Sequence, residues 1–165
     1  MTRIAGLIVA AFVAAALRAA PCDAAANRLV PASPRTYGDV KAQATRYGWT
    51  CVSVKGDRAG NGFAYSVGLT SKHLPELGVF ATDDVANACK AIDRVVTALL
   101  AAGRAPRSGA EVFRNGEGRV VLRAVRRNQF YDLCAFAKRW RDEHHVADAR
   151  AMQIVVLDPG ERMPP

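Results

Sequence analysis

Between Asp83 and Gly103 the apolar residues Val85, Cys89, Ile92, Val96 and Leu99 recur every three or four positions, with Ala88, Val95 and Leu100 widening the stripe. That spacing gathers them on one side of a helix, predicted to run from a cap at Thr82 or Asp83 through Ala102. Asp83 and Asp84 suit the amino-terminal dipole of this helix, and Gly103 suits its end. A helix with so wide an apolar side must pack on an equally apolar partner, and the remaining segments supply strands for it. Trp49–Lys55 and Phe63–Leu69 are rich in β-formers and flank the turn-dense Gly56–Gly62, which predicts a hairpin. Leu77–Ala81 predicts a short buried strand. Ala110–Arg114 and Arg119–Arg126 surround Asn115-Gly116, a strong two-residue hairpin signal. Gly38–Tyr47 suits a first helix ended by Gly48, and Asn128–Glu143 a later one with Phe130, Leu133, Cys134, Ala137 and Trp140 inward. Ala151–Leu157 closes the chain as a strand, before an Asp158-Pro159-Gly160 turn. The order α-β-β-β-α-β-β-α-β predicts an α+β two-layer domain: a largely antiparallel sheet of five to six strands packed by two or three helices.

The amino terminus has a different character. Arg3 precedes Ile4–Leu17, an uncharged apolar run of 14 residues, and Ala24-Ala25-Ala26 follows as a small-residue cleavage pattern. Residues 1–26 are expected to be a secretory signal peptide cut after Ala26. The competing reading, an uncleaved anchor, is disfavoured by Arg18, which interrupts the apolar run short of the roughly 18–20 residues needed to span a bilayer. Residues 27–37, with Pro31 and Pro34, are a flexible lead-in, and 38–163 a single domain. Without the leader the chain carries 21 basic and 14 acidic residues, a net charge of +7. The expected location is periplasmic or secreted, with no stable membrane insertion of the processed chain. Nucleic acid is not an expected partner, because export separates the protein from it and no ladder of stacking aromatics accompanies the charge.

Three cysteines remain after processing: Cys51, Cys89 and Cys134. All sit in apolar patterns and none in a C-x-x-C spacing, so zinc and thioredoxin-type chemistry are poor readings. Buried free thiols are one expectation, and a Cys89–Cys134 bridge between neighbouring helices is the other.

Candidate chemistry concentrates after the second strand. Alternation puts Phe63, Tyr65, Val67 and Leu69 on one face and the small residues Ala64, Ser66 and Gly68 on the other, where a helix or a ligand can approach closely. The loop Ser71–Glu76 adds His73 and Glu76, a base and a carboxylate beside Tyr65; together the three are the candidate catalytic set, or His73 and Glu76 two ligands of an otherwise incomplete metal site. Gln153 interrupts an apolar strand, either pinning a neighbouring backbone or facing a polar pocket. His144, His145 and Asp148 do not converge on a helix and are expected to be solvated. From Arg104 to Arg127 there are seven arginines against Glu111 and Glu117. Of these, Arg119, Arg123, Arg126 and Arg127 are read as a basic surface, solvated or facing an acidic partner or anionic headgroups. No P-loop, G-x-S-x-G or H-E-x-x-H motif is present.

Gly48-Trp49-Thr50, Phe63-Ala64-Tyr65-Ser66-Val67-Gly68-Leu69, Pro75-Glu76-Leu77, Met152-Gln153-Ile154-Val155 and Asp158 together resemble the bacterial domain-of-unknown-function family 4262, over roughly residues 38–163. Members of that family often show His-Pro-Glu where this chain has Leu74-Pro75-Glu76, with the histidine one place earlier, and many lack a leader. The resemblance implies no reaction and no cofactor. It groups Tyr65, Ser66, Glu76, Gln153 and Asp158 as ligand-binding candidates. The leading expectation is a non-catalytic exported module that binds a protein or small ligand, of inhibitor or immunity type; the alternative is a small hydrolase or metal-dependent enzyme using Tyr65, His73 and Glu76.

Overall fold

The computed structural model describes residues 34–56, 61–82, 84–115 and 118–157. The expected leader and Asp158 lie outside the described residues. Helix α1 is Tyr37–Tyr47, one residue longer than the sequence reading at its start. Thr36 caps it through a reciprocal box in which the Thr36 hydroxyl accepts from Asp39 N and the Asp39 carboxylate accepts from Thr36 N. Gly48, in the left-handed conformation, ends it. Strand β1 (Thr50–Val54) then pairs antiparallel with β2 (Gly62–Val67), the expected hairpin. The chain leaves β2 earlier than predicted, because Gly68 has φ 108° and Leu69–Lys72 wind into a 3-10 turn.

Strand β3 (Glu76–Thr82) leads to helix α2 (Val85–Ala102). Its amino-terminal cap is Asp84, not Thr82 or Asp83: the Asp84 side chain accepts from Asn87 N at 3.0 Å. Strands β4 (Ala110–Asn115) and β5 (Gly118–Ala124) form the second hairpin. The predicted single helix over 128–143 is two, α3 (Arg127–Leu133) and α4 (Ala135–Glu143). They part at Cys134, whose backbone (φ −103°, ψ 69°) leaves the helical region while its N–H still bonds Phe130 O. Strand β6 is Ala151–Leu157, as read.

The six strands are ordered β1-β2-β3-β6-β5-β4. All neighbours are antiparallel except β3 and β6, which run parallel with Glu76 opposite Ala151 and Gly78 opposite Gln153. Hairpin signals cannot announce that pair, since β6 returns to the middle of the sheet after three helices and a hairpin. The α+β class follows directly. Ala64, Leu77, Val120, Leu122, Met152 and Ile154 pack with the α2 stripe in one core. On the other face Val52, Tyr65 and Val67 pack with Val40 and Ala44 of α1, Phe130 of α3 and Trp140 of α4. The small face of β2 is therefore explained by a helix: a Cβ on Gly62 would lie 2.9 Å from Val85 Cγ1.

Cys51 and Cys89 are joined in a disulfide, Cα to Cα 5.9 Å, which ties β1 to α2. The expected Cys89–Cys134 bridge is thus replaced. Cys89 belongs to the α2 core, whereas Cys134 is buried and free in the core on the opposite side of the sheet. No helix of the described residues is long and apolar enough to cross a membrane.

Candidate functional site

Two of the sequence candidates, Ser66 and Glu76, meet at one buried carboxylate. Glu76 opens β3 and is 1% exposed. The β2–β3 ladder ends at Tyr65 opposite Gly78; beyond it the Ser66 hydroxyl takes over, accepting from Leu77 N at 2.8 Å and donating to Glu76 Oε2 at 2.5 Å. Glu76 Oε1 accepts from Gly68 N at 3.0 Å, Thr70 N at 3.2 Å and Thr70 Oγ1 at 3.1 Å. Four donors converge on the carboxylate, and among the described residues no cation forms an ion pair with it. Removal from water outweighs these donors and pushes the Glu76 pKa up to about 7. Its own backbone N–H donates to Arg150 O, fastening it to the segment before β6.

The same contacts build the turn that Glu76 holds. Gly68 turns the chain at a φ that favours glycine, and a Cβ there would lie 3.1 Å from Trp49 Cα. Gly48 passes beneath Lys72, whose Cε would be 2.5 Å from an added Cβ. Ser71 Oγ accepts from Trp140 Nε1 at 3.1 Å, so α4 grips the turn from outside. His73 ends it with φ 59°, its N–H bonded to Thr70 O.

The candidate residues separate on this geometry. Tyr65 is 3% exposed, stacked edge-on against Phe130, and burial raises the pKa of its hydroxyl. His73 is exposed while Glu76 and Tyr65 are closed off, so the three do not share an open pocket. Ser66 is spent on Glu76 and Leu77. Gln153 is half-buried, and its Oε1 accepts from Arg123 Nη2 at 2.7 Å, a side-chain partner rather than a backbone one. Arg119 lies 3.9 Å from Glu111, while Arg126 and Arg127 are exposed at the start of α3. His144 stacks on Trp140 at 3.9 Å between ring centroids, in an exposed position as expected. Among the described residues no three His, Cys, Asp or Glu side chains are grouped to hold a metal ion.

An open concavity lies beside the turn. A cleft of about 620 Å³ is lined by the polar residues Thr70, His73, Arg127, Asp148 and Arg150. Its floor is apolar, with Leu74, Val125, Ala149, Ala151 and Met152. Sequence reasoning gave His73 and Arg127 separately and missed Thr70 and Arg150. The available signal was a run of donors, Ser66, Gly68 and Thr70, two residues apart and ahead of a carboxylate. The sequence profile of a family described as a domain of unknown function (DUF4262) matches residues 43–165. No curated protein and no solved structure matches the chain.

Proposed function

The chain belongs to the DUF4262 family, and from that premise we propose that it is an exported, non-catalytic module that binds a small ligand or a protein through the cleft beside Thr70 and His73. The observation that carries this reading is the fate of Glu76. The best acid–base candidate in the sequence has both oxygens engaged by Ser66, Gly68 and Thr70, and has become the internal post of a cleft wall. What faces the cleft is instead suited to recognition: two guanidinium-bearing side chains, an imidazole and an apolar floor. The Cys51–Cys89 disulfide supports export, since such bonds persist in oxidising compartments. The basic balance of the processed chain favours an acidic or anionic partner.

Native mass spectrometry of the protein isolated from cell fractions tests the reading. The expected species starts at Asn27, comes from the periplasm or medium, has Cys51 and Cys89 oxidised, and carries a ligand or partner that Glu76→Gln retains. Unclipped chain in the soluble intracellular fraction overturns the export reading. A turnover abolished by Glu76→Gln in a protein that stays folded overturns the non-catalytic one.

A further inference from the structure

The geometry points to the chemical class of the cleft's ligand: an organic anion with a carboxylate or phosphate head and a short apolar body, its head held by Arg127 and Arg150 and its body laid on Leu74, Val125 and Met152. This inference rests on the binding-module reading and goes beyond it by naming what is bound.

Three observations carry it. First, the charged side chains lining the cleft are unequal in sign: Arg127 and Arg150 against Asp148 alone. No ion pair among the described residues joins Asp148 to either arginine. Guanidinium groups present paired N–H donors that match the two oxygens of a carboxylate or phosphate. Second, Leu74, Ala149, Ala151 and Met152 are each less than a tenth exposed yet line the cleft, so its floor is fixed and apolar. A bare inorganic ion leaves that floor wet, whereas an amphiphile covers it. The cleft volume falls within the range that encloses a small organic molecule. Third, the walls are pre-set. Thr70 is bonded to Glu76 through both its N–H and its hydroxyl, and the backbone of Arg150 accepts from Glu76 N. Glu76 therefore ties Thr70 through its carboxylate and Arg150 through its backbone N–H before any ligand arrives, which lowers the ordering cost of binding.

Calorimetric titration of the native protein with octanoate, octyl phosphate, inorganic phosphate and octanol tests this. Octanoate and octyl phosphate are expected to bind, and the two fragments, phosphate and octanol, to bind at least about tenfold more weakly. Arg127→Gln and Arg150→Gln are each expected to weaken octanoate by about tenfold, with melting temperatures near wild type. His73→Gly, which relieves a left-handed backbone, keeps the fold and reports whether the imidazole adds to the grip. Sedimentation with phosphatidylglycerol or phosphatidylcholine vesicles separates the two sources of such a head. Co-sedimentation with the anionic vesicles alone, competed by octanoate, assigns a lipid headgroup; octanoate binding without co-sedimentation assigns a free amphiphile. Octanol binding as tightly as octanoate, or affinities unchanged in both arginine variants, overturns the inference. If no anion binds while native mass spectrometry still finds a ligand retained by wild type and lost on Leu74→Arg, the class named here falls and the binding module stands. If neither is seen, both fall.

Discussion

Glu76 shows how one residue can look catalytic in sequence and be architectural in the fold. A carboxylate beside a histidine and a tyrosine invites acid–base chemistry, but four donors reach it first. Truncating it leaves Gly68 N–H, Thr70 N–H and two hydroxyls unpaired in the interior. Glu76→Ala is therefore expected to lower unfolding free energy by about 3–5 kcal/mol in urea titration. Ser66→Ala strands only Leu77 N–H and one carboxylate oxygen, and about 1–3 kcal/mol is expected. Gly68→Ala meets both an unfavourable φ and the Trp49 backbone, so its loss should exceed the roughly 1 kcal/mol of a simple glycine substitution in the left-handed region. His73→Gly, whose φ is already left-handed, should stay within about 1 kcal/mol of wild type. Five of the residues that carry the family resemblance, Gly48, Trp49, Ser66, Gly68 and Glu76, belong to this one knot, which gives them a structural reason to occur together.

Among the elements, α2 and β6 were the most legible. Their signals are local: a helical stripe in one and an apolar run before Asp-Pro-Gly in the other. The features that escaped depend on distant partners. The 3-10 turn at Leu69–Lys72 exists because Glu76, beyond it in sequence, gathers its N–H groups. The break at Cys134 has no proline or glycine to mark it. The parallel β3–β6 pair joins segments on either side of three helices and a hairpin. Disulfide pairing escaped for the same reason, since periodicity placed Cys51 and Cys89 in their elements but not those elements against each other. The bridge closes a sequence separation of 38 residues between β1 and α2. Loop-closure entropy for such a span gives about 3–4 kcal/mol. Replacing both cysteines by alanine, or adding reductant, should lower the unfolding free energy read by urea titration by that amount, while Cys134→Ala leaves its sensitivity to reductant unchanged.

At the scale of the whole molecule, the buried carboxylate couples global stability to pH in an unusual direction. Burial raises the Glu76 pKa in the folded chain from 4.5 to about 7, so the native state holds this proton more tightly than the unfolded state. The stability it contributes is fully present below the unfolded pKa and is lost as pH rises through the folded one. The loss amounts to about 3 kcal/mol across that window. The exposed carboxylates of Asp39, Glu111 and Glu143 act oppositely. Hydrogen bonds and nearby cations hold their pKa values below the usual range, so their contribution fades only as the solution becomes more acid than pH 4.5. Of these four carboxylates, Glu76 is the one whose contribution changes between pH 5 and 8. Equilibrium urea unfolding of wild type and Glu76→Gln at pH 5 and pH 8 reads it directly, because glutamine keeps an acceptor for Gly68 and Thr70 and cannot ionise. A wild-type midpoint that falls between pH 5 and 8, with a flat profile in a folded Glu76→Gln protein, is the predicted result. An equal fall in both proteins would contradict the account.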